Sequence, residues 1–164
     1  MRQQRKLRGV STSAVIALAL IAAPLTAQNP KTQLTLGGGT VSFPAPTATD
    51  YINGYVYSTT GVTYTVDATN GAASHTTTIS LRTTSANLGG AKPVTDLEWR
   101  RSDLATWNPI SSTDTQVEQK IMIRGLLNDP WNNTIFFRMK LSWTADPPAT
   151  YSANYQITLS QTVP

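Results

Sequence analysis

The chain has 164 residues, no cysteine, and 13 Lys and Arg against nine Asp and Glu, a formal charge of +4. Four of those cations (Arg2, Arg5, Lys6 and Arg8) and none of the acids precede residue 28, so residues 28–164 carry nine of each sign and are formally neutral. A nucleic-acid partner would need a basic patch or stripe, and a balanced chain gives that reading no support; the missing cysteines exclude thiolate nucleophiles, disulfide staples and Cys-ligated metal clusters.

Residues 1–27 read as a cleavable secretory signal peptide. The basic start is followed by an unbroken apolar run, Ala14 to Ala23, and by Leu25-Thr26-Ala27, with a small residue at the cleavage position. The run is about half the ~20 apolar residues of a membrane span, so no stable membrane anchor is expected. Removal of the leader leaves residues 28–164 as a single domain, long enough to bury a core without disulfides.

The remainder is rich in Thr and Ser, 35 residues between positions 28 and 164, and this composition with Val, Ile and aromatics fits pleated, half-buried strands. Gln33 to Phe43 has a strand pattern interrupted by Gly37-Gly38-Gly39, which predicts a bulge, a bend or two short strands. Tyr51 to Tyr57 is a second candidate strand. In the next, Val62, Tyr64 and Val66 face one way and Thr63 and Thr65 the other. His75, the only histidine, precedes a strand over Thr76 to Thr83. No nucleophile elbow accompanies it, so it reads as a surface histidine rather than a catalytic base. The run of Thr here reads as the outward side of a sheet, since no repeat of the kind an ice-binding face needs is present.

Asp96 and Glu98 stand two apart, as paired glycosidase carboxylates sometimes do, yet their plainer reading is two solvated acids near Arg100 and Arg101. Leu97 to Ser102 and the residues up to Trp107 form a hairpin pattern with Trp99 and Trp107 on its arms. Trp107 and Asn108 are candidates for stacking on and hydrogen bonding to a sugar; the competing reading packs both indoles in the core. Val117 to Arg124 alternates, with Val117, Gln119, Ile121 and Ile123 opposite Glu118, Lys120, Met122 and Arg124. Asp129-Pro130-Trp131-Asn132-Asn133 is read as an exposed loop in which Trp131 and Asn132 contact ligand. Asp129 and the Asn oxygens offer calcium one carboxylate, so turn chemistry is the better account of them. Asn132-Asn133-Thr134 matches the glycosylation triplet.

Thr134 to Thr144 alternates most clearly, with Ile135, Phe137, Met139, Leu141 and Trp143 on one face. Tyr151 to Gln161 places Tyr151, Ala153, Tyr155, Ile157 and Leu159 inward. Eight or nine short strands separated by Gly, Pro and Asn turns, without a helical period or internal repeat, predict an antiparallel β-sandwich. A closed barrel is the alternative.

Asp146-Pro147-Pro148-Ala149-Thr150-Tyr151, leading into an alternating strand, resembles the tyrosine-corner entrance of immunoglobulin-like sandwiches, where the Tyr hydroxyl bonds back to nearby backbone. The same segment, together with the leader, resembles secreted bacterial surface subunits of the spore-coat-U and fimbrial type, although Ala149 stands where Gly is frequent and their cysteines are missing. The resemblance covers about the last 20 residues plus the leader. It implies an all-β, immunoglobulin-like sandwich of about eight strands, with Tyr151, Trp99 and Trp143 as fold-defining residues.

The function expected is an exported, non-enzymatic structural or adhesive subunit, secreted, periplasmic or at the cell surface. Its partners would be copies of itself or other surface subunits joined by strand addition, with Gln28 to Leu36 as a donor strand. No cofactor or nucleic acid is implied. The alternative is a secreted carbohydrate-binding module, calcium-assisted or not, that stacks sugars on Trp107, Trp131 and Tyr55.

Overall fold

Alternating apolar and polar residues build nine strands among the described residues: β1 (Thr32–Gly37), β2 (Tyr55–Tyr57), β3 (Val62–Ala68), β4 (His75–Thr83), β5 (Leu97–Arg101), β6 (Asn108–Pro109), β7 (Thr115–Met122), β8 (Trp131–Lys140) and β9 (Tyr155–Thr162). The computed structural model describes residues 32–37, 41–69, 71–89, 91–147 and 149–162. The expected leader and the first four residues of the expected donor segment lie outside these.

All pairings of the named strands are antiparallel. The larger sheet has the order β1-β3-β8-β5-β6, with β2 also paired to β8; the smaller has the order β7-β4-β9. The sheets enclose one apolar cluster that includes Val62, Tyr64 and Val66 of β3, Ile135, Phe137 and Met139 of β8, Trp99 of β5, Ile79 and Leu81 of β4, and Ile157 of β9. Each of these residues holds the inward parity of its strand, and their removal from water is the main term favouring the fold. β2 and β3 run in line along one edge of β8, Tyr57 opposite Arg138 and Val62 opposite Ile135. The chain steps between them at Gly61, where a Cβ would stand 2.5 Å from the Thr134 methyl and 3.0 Å from the Phe136 ring.

Several expectations need correction. The region read as a strand from Tyr51 begins as a helix, α1 (Ala48–Asn53). Thr47 and Asp50 form a reciprocal capping box, and Gly54 ends the helix with φ 77°, so local capping overrides the β-favouring aromatics. In β7, Glu118 pairs with Ile79 but Gln116 with Ser80. Val117 is therefore an extra residue, and a bulge of this kind reverses the parity beyond it. Glu118 and Met122 are buried, whereas Ile121, expected inward, is 49% exposed. β8 starts at Trp131 and stops at Lys140. Trp143 therefore does not continue the inward row: it lies in the following turn, 62% exposed, with its ring stacked 4.5 Å from that of Tyr51.

Tyr151 precedes β9, since pairing begins at Tyr155. Its ring is buried and its hydroxyl donates to the Pro147 carbonyl at 2.6 Å. This is the backbone contact expected of a Tyr four residues downstream of a proline turn.

Candidate functional site

The outward parity of β2, β5 and β8 places Tyr55 and Tyr57, Glu98 and Arg100, and Phe136, Arg138 and Lys140 on one surface of the larger sheet. The β5–β6 hairpin, pairing Trp99 with Asn108, separates its two indoles. Trp99 enters the core, while Trp107 lies over the outward residues.

There it becomes the middle of an alternating array of rings and cations. The Arg138 guanidinium carbon lies 3.8 Å from the Tyr55 ring centroid and 4.6 Å from that of Trp107. Arg100 lies 5.1 Å from Trp107 and 5.6 Å from Phe136. Tyr57 meets Trp107 at 5.9 Å and 58°, and remains 52% exposed. Each cation–π contact is worth roughly 0.5–2 kcal/mol, more as water is excluded. Arg100 Nη1 also donates to the Leu104 carbonyl at 2.8 Å, which ties the hairpin loop to the array.

Glu98 anchors the cations. Arg138 Nε donates to it at 2.7 Å and Lys140 Nζ stands 3.0 Å away. Burial works to raise the Glu98 pKa, but the hydrogen bonds and charges of Lys140 and Arg138 outweigh it and hold the carboxyl below its ordinary value. The Glu98 hydrogen bond in turn raises Lys140. For Arg138, burial opposes the charge, and the bonds to Glu98 and Tyr57 prevail. All three groups thus stay ionised at neutral pH. The surface presents aromatic rings beside fixed cations and hydroxyls that can hydrogen bond.

Of the residues expected to contact ligand, Asn108 pairs with Trp99 and shares its inward parity, whereas Trp107 and Tyr55 belong to this region. Trp131 does not. It begins β8 on the inward face, is 4% exposed, and donates from Nε1 to Glu118 at 3.0 Å. Tyr64 donates to the same carboxylate oxygen at 2.5 Å. The other oxygen meets Arg101 at 3.3 Å and Lys120 at 3.4 Å. The signal that places Trp131 indoors is the strand parity it shares with Ile135 and Phe137. Asn132, its neighbour, points outward and is exposed.

The remaining candidates are likewise placed by their partners. Asp129 precedes a cis-proline and accepts main-chain N–H groups from Ala68, at 2.8 Å, and from Gly125. Burial raises its pKa, and these bonds prevail to lower it. The residue shapes the turn before β8. His75, expected at the surface, is 1% exposed and lies between the Thr32 hydroxyl, 2.6 Å from Nε2, and the Ala73 carbonyl, 3.1 Å from Nδ1. Asp96 and Glu98 are not a solvated pair. Glu98 is buried within the array, whereas Asp96 bonds Lys92 at 3.0 Å, as Asp146 does at 2.7 Å. That second cluster borders a cleft of about 540 Å³ lined by Ala91, Pro93, Pro147 and Tyr151. Among the described residues no group of three or more His, Asp and Glu converges as metal ligands, and no helix is long and apolar enough to cross a membrane.

No protein-family model matches the chain, and no curated protein matches it. Arg100, Arg138, Tyr57 and Phe136 were not singled out by sequence reasoning. Parity predicts their face, but only the register of β2, β5 and β8 brings them beside Trp107.

Proposed function

We propose that the chain is an exported, non-enzymatic, immunoglobulin-like β-sandwich acting as a structural or adhesive subunit of fimbrial type, in the periplasm or at the cell surface. The observation that carries the adhesive role is the outer-face array of half-buried Tyr55 and Trp107 and exposed Tyr57, interleaved with Arg100 and Arg138. The signal-peptide pattern of residues 1–27 supports export. The Tyr151–Pro147 bond supports the immunoglobulin-like comparison.

The array also favours a second reading, a secreted carbohydrate-binding module. The two differ in valency. A subunit adhering through many displayed copies gains strength by avidity, whereas a binding module holds its glycan as a free monomer. The test is a glycan array probed with the exported protein, once soluble and once displayed on beads, with and without calcium, beside a Tyr57→Ala/Trp107→Ala variant. Retention of the beads alone, lost in the variant, supports the adhesive subunit. Retention of the soluble protein, with a change in Trp fluorescence, supports the module. Equal retention of wild type and variant, or none by either form, rejects the array as a binding surface. Intact mass of the exported protein tests the leader: a mass that includes residues 1–27 rejects cleavage after Ala27.

A further inference from the structure

Sheet edges present unpaired N–H and C=O groups that invite another strand, and proteins protect them with charge, proline, bulges or brevity. β2 has three residues, and β6 has two, one of them Pro109. β7 carries the bulge at Val117 and two charged residues of inward parity, Glu118 and Lys120. β1 is six residues long, exposed along most of its length, and ends at Gly37; only Leu34 of it packs against the core. β9 is different. Its eight residues, Tyr-Gln-Ile-Thr-Leu-Ser-Gln-Thr, contain no charge and no proline, and its register with β4 runs without a bulge from Thr83–Tyr155 to Thr76–Thr162. Among the described residues, no strand pairs with its other side.

The hydrogen-bond phase shows which groups face that side. Thr84 N–H bonds the Asn154 carbonyl, while Thr83 N–H turns away to Ser111. Antiparallel ladders alternate, so Gln156, Thr158 and Ser160 exchange bonds with β4, and the main chain of Ile157, Leu159 and Gln161 points to the open edge. Leu159, inward by parity, is only partly buried at the margin of the core.

We infer that β9 is a self-association edge, pairing antiparallel with β9 of a second copy of this chain about a two-fold axis near Thr158. This deepens the subunit reading by naming the edge and the partner. In that register Ile157 of each copy faces Leu159 of the other. Both use the main-chain groups that β4 leaves open, and apolar side chains stay on the inner face, as parity requires. The added strand covers Leu159. With no charge on β9, two copies meet without repulsion, and the two smaller sheets become one continuous sheet. The interface is isologous and closes at the dimer.

Thr158 then faces its own symmetry mate, where like charges oppose pairing. Its side chain projects from the outer face, so charge is tolerated by the monomer. Light scattering coupled to size exclusion should give the exported protein twice the mass of one chain. Thr158→Lys and Thr158→Glu should each give one chain mass with an unchanged circular dichroism spectrum, and a mixture of the two should regain the doubled mass. A wild-type protein of single mass at every concentration overturns the proposal. So do a dimer that survives both substitutions, variants that lose the native spectrum and do not recover on mixing, and folded variants that fail to re-pair. Binding to glycans by the displayed protein is read separately, so loss of the dimer and loss of the adhesive role are distinguishable.

Discussion

Replacing Glu118 with Ala removes one acceptor from two buried donors, the Tyr64 hydroxyl and the Trp131 indole N–H, and one counter-charge from Arg101 and Lys120. A buried donor left without a partner costs about 1–3 kcal/mol, so the two donors together cost roughly 2–6 kcal/mol. The ionic part adds little. Arg101 keeps Asp103 at 2.6 Å and the Val117 carbonyl at 3.2 Å, and the Lys120 side chain is one-third exposed to water. A loss of about 3–5 kcal/mol is expected, in the range for breaking a buried charged network by removing one member. In a domain of this size that lowers Tm by about 10–15 °C. Urea unfolding followed by Trp fluorescence reads it directly, with the midpoint falling and the slope unchanged. Glu118→Gln keeps an oxygen for Tyr64 and Trp131 while giving up the ion pairs, and is expected to cost clearly less. A loss below about 1 kcal/mol for Glu118→Ala, the size of an ordinary substitution, refutes the reasoning. So does a Gln variant as damaged as the Ala variant.

Tyr151→Phe deletes only the hydroxyl that bonds Pro147 and should cost about 1 kcal/mol in the same urea titration; no change would show that the bond does not hold the turn. The bulge predicts opposite outcomes at adjacent positions: Ile121→Lys should shift stability by no more than about 0.5 kcal/mol, whereas Met122→Lys buries an unpaired charge and should prevent stable folding. Equal effects at the two sites would contradict the reversed parity. Glu98 is held below its ordinary pKa of about 4.3. Its contribution is therefore complete above that value and is lost as pH falls through the depressed folded value. Thermal melts from roughly pH 6 to roughly pH 3 should show the wild type losing more stability than Glu98→Gln in that acid window, and parallel curves would exclude Glu98 as the source.

Period two was sufficient to reveal β3, β8 and β9, because each alternates against a single continuous core and its register has no insertion. It was insufficient wherever one residue changed the phase. Val117 shows this most clearly: nothing in Val-Glu-Gln-Lys-Ile-Met distinguishes a straight strand from a bulged one. The bulge places Glu118 indoors, where Tyr64, Trp131 and Arg101 supply its partners from β3, β8 and β5. Trp131 was misread as a loop residue because Asn-Asp-Pro precedes it, although its spacing from Ile135 already carried the inward parity. The helix at Ala48–Asn53 was announced by Thr47 and Asp50, a capping pair easily lost among the surrounding turn residues. The outer array lay beyond local pattern altogether. Tyr55, Trp107 and Arg138 come from three separate stretches of chain, and their meeting depends on long-range register.

The smaller sheet has a consequence in time as well as in space. β4, its central strand, forms early in the order of the chain, yet it is flanked only by β7 and β9, so Thr76 waits for Thr162. Until Tyr155–Thr162 has emerged, β4 lacks one of its two partners, Ile79 and Leu81 lack Leu159 and Ile157 beside them, and Phe137 lacks the Tyr155 ring. Non-local pairing of this kind makes folding slow. A chain that emerges from its first residues onward would thus lack this cover until β9 has followed.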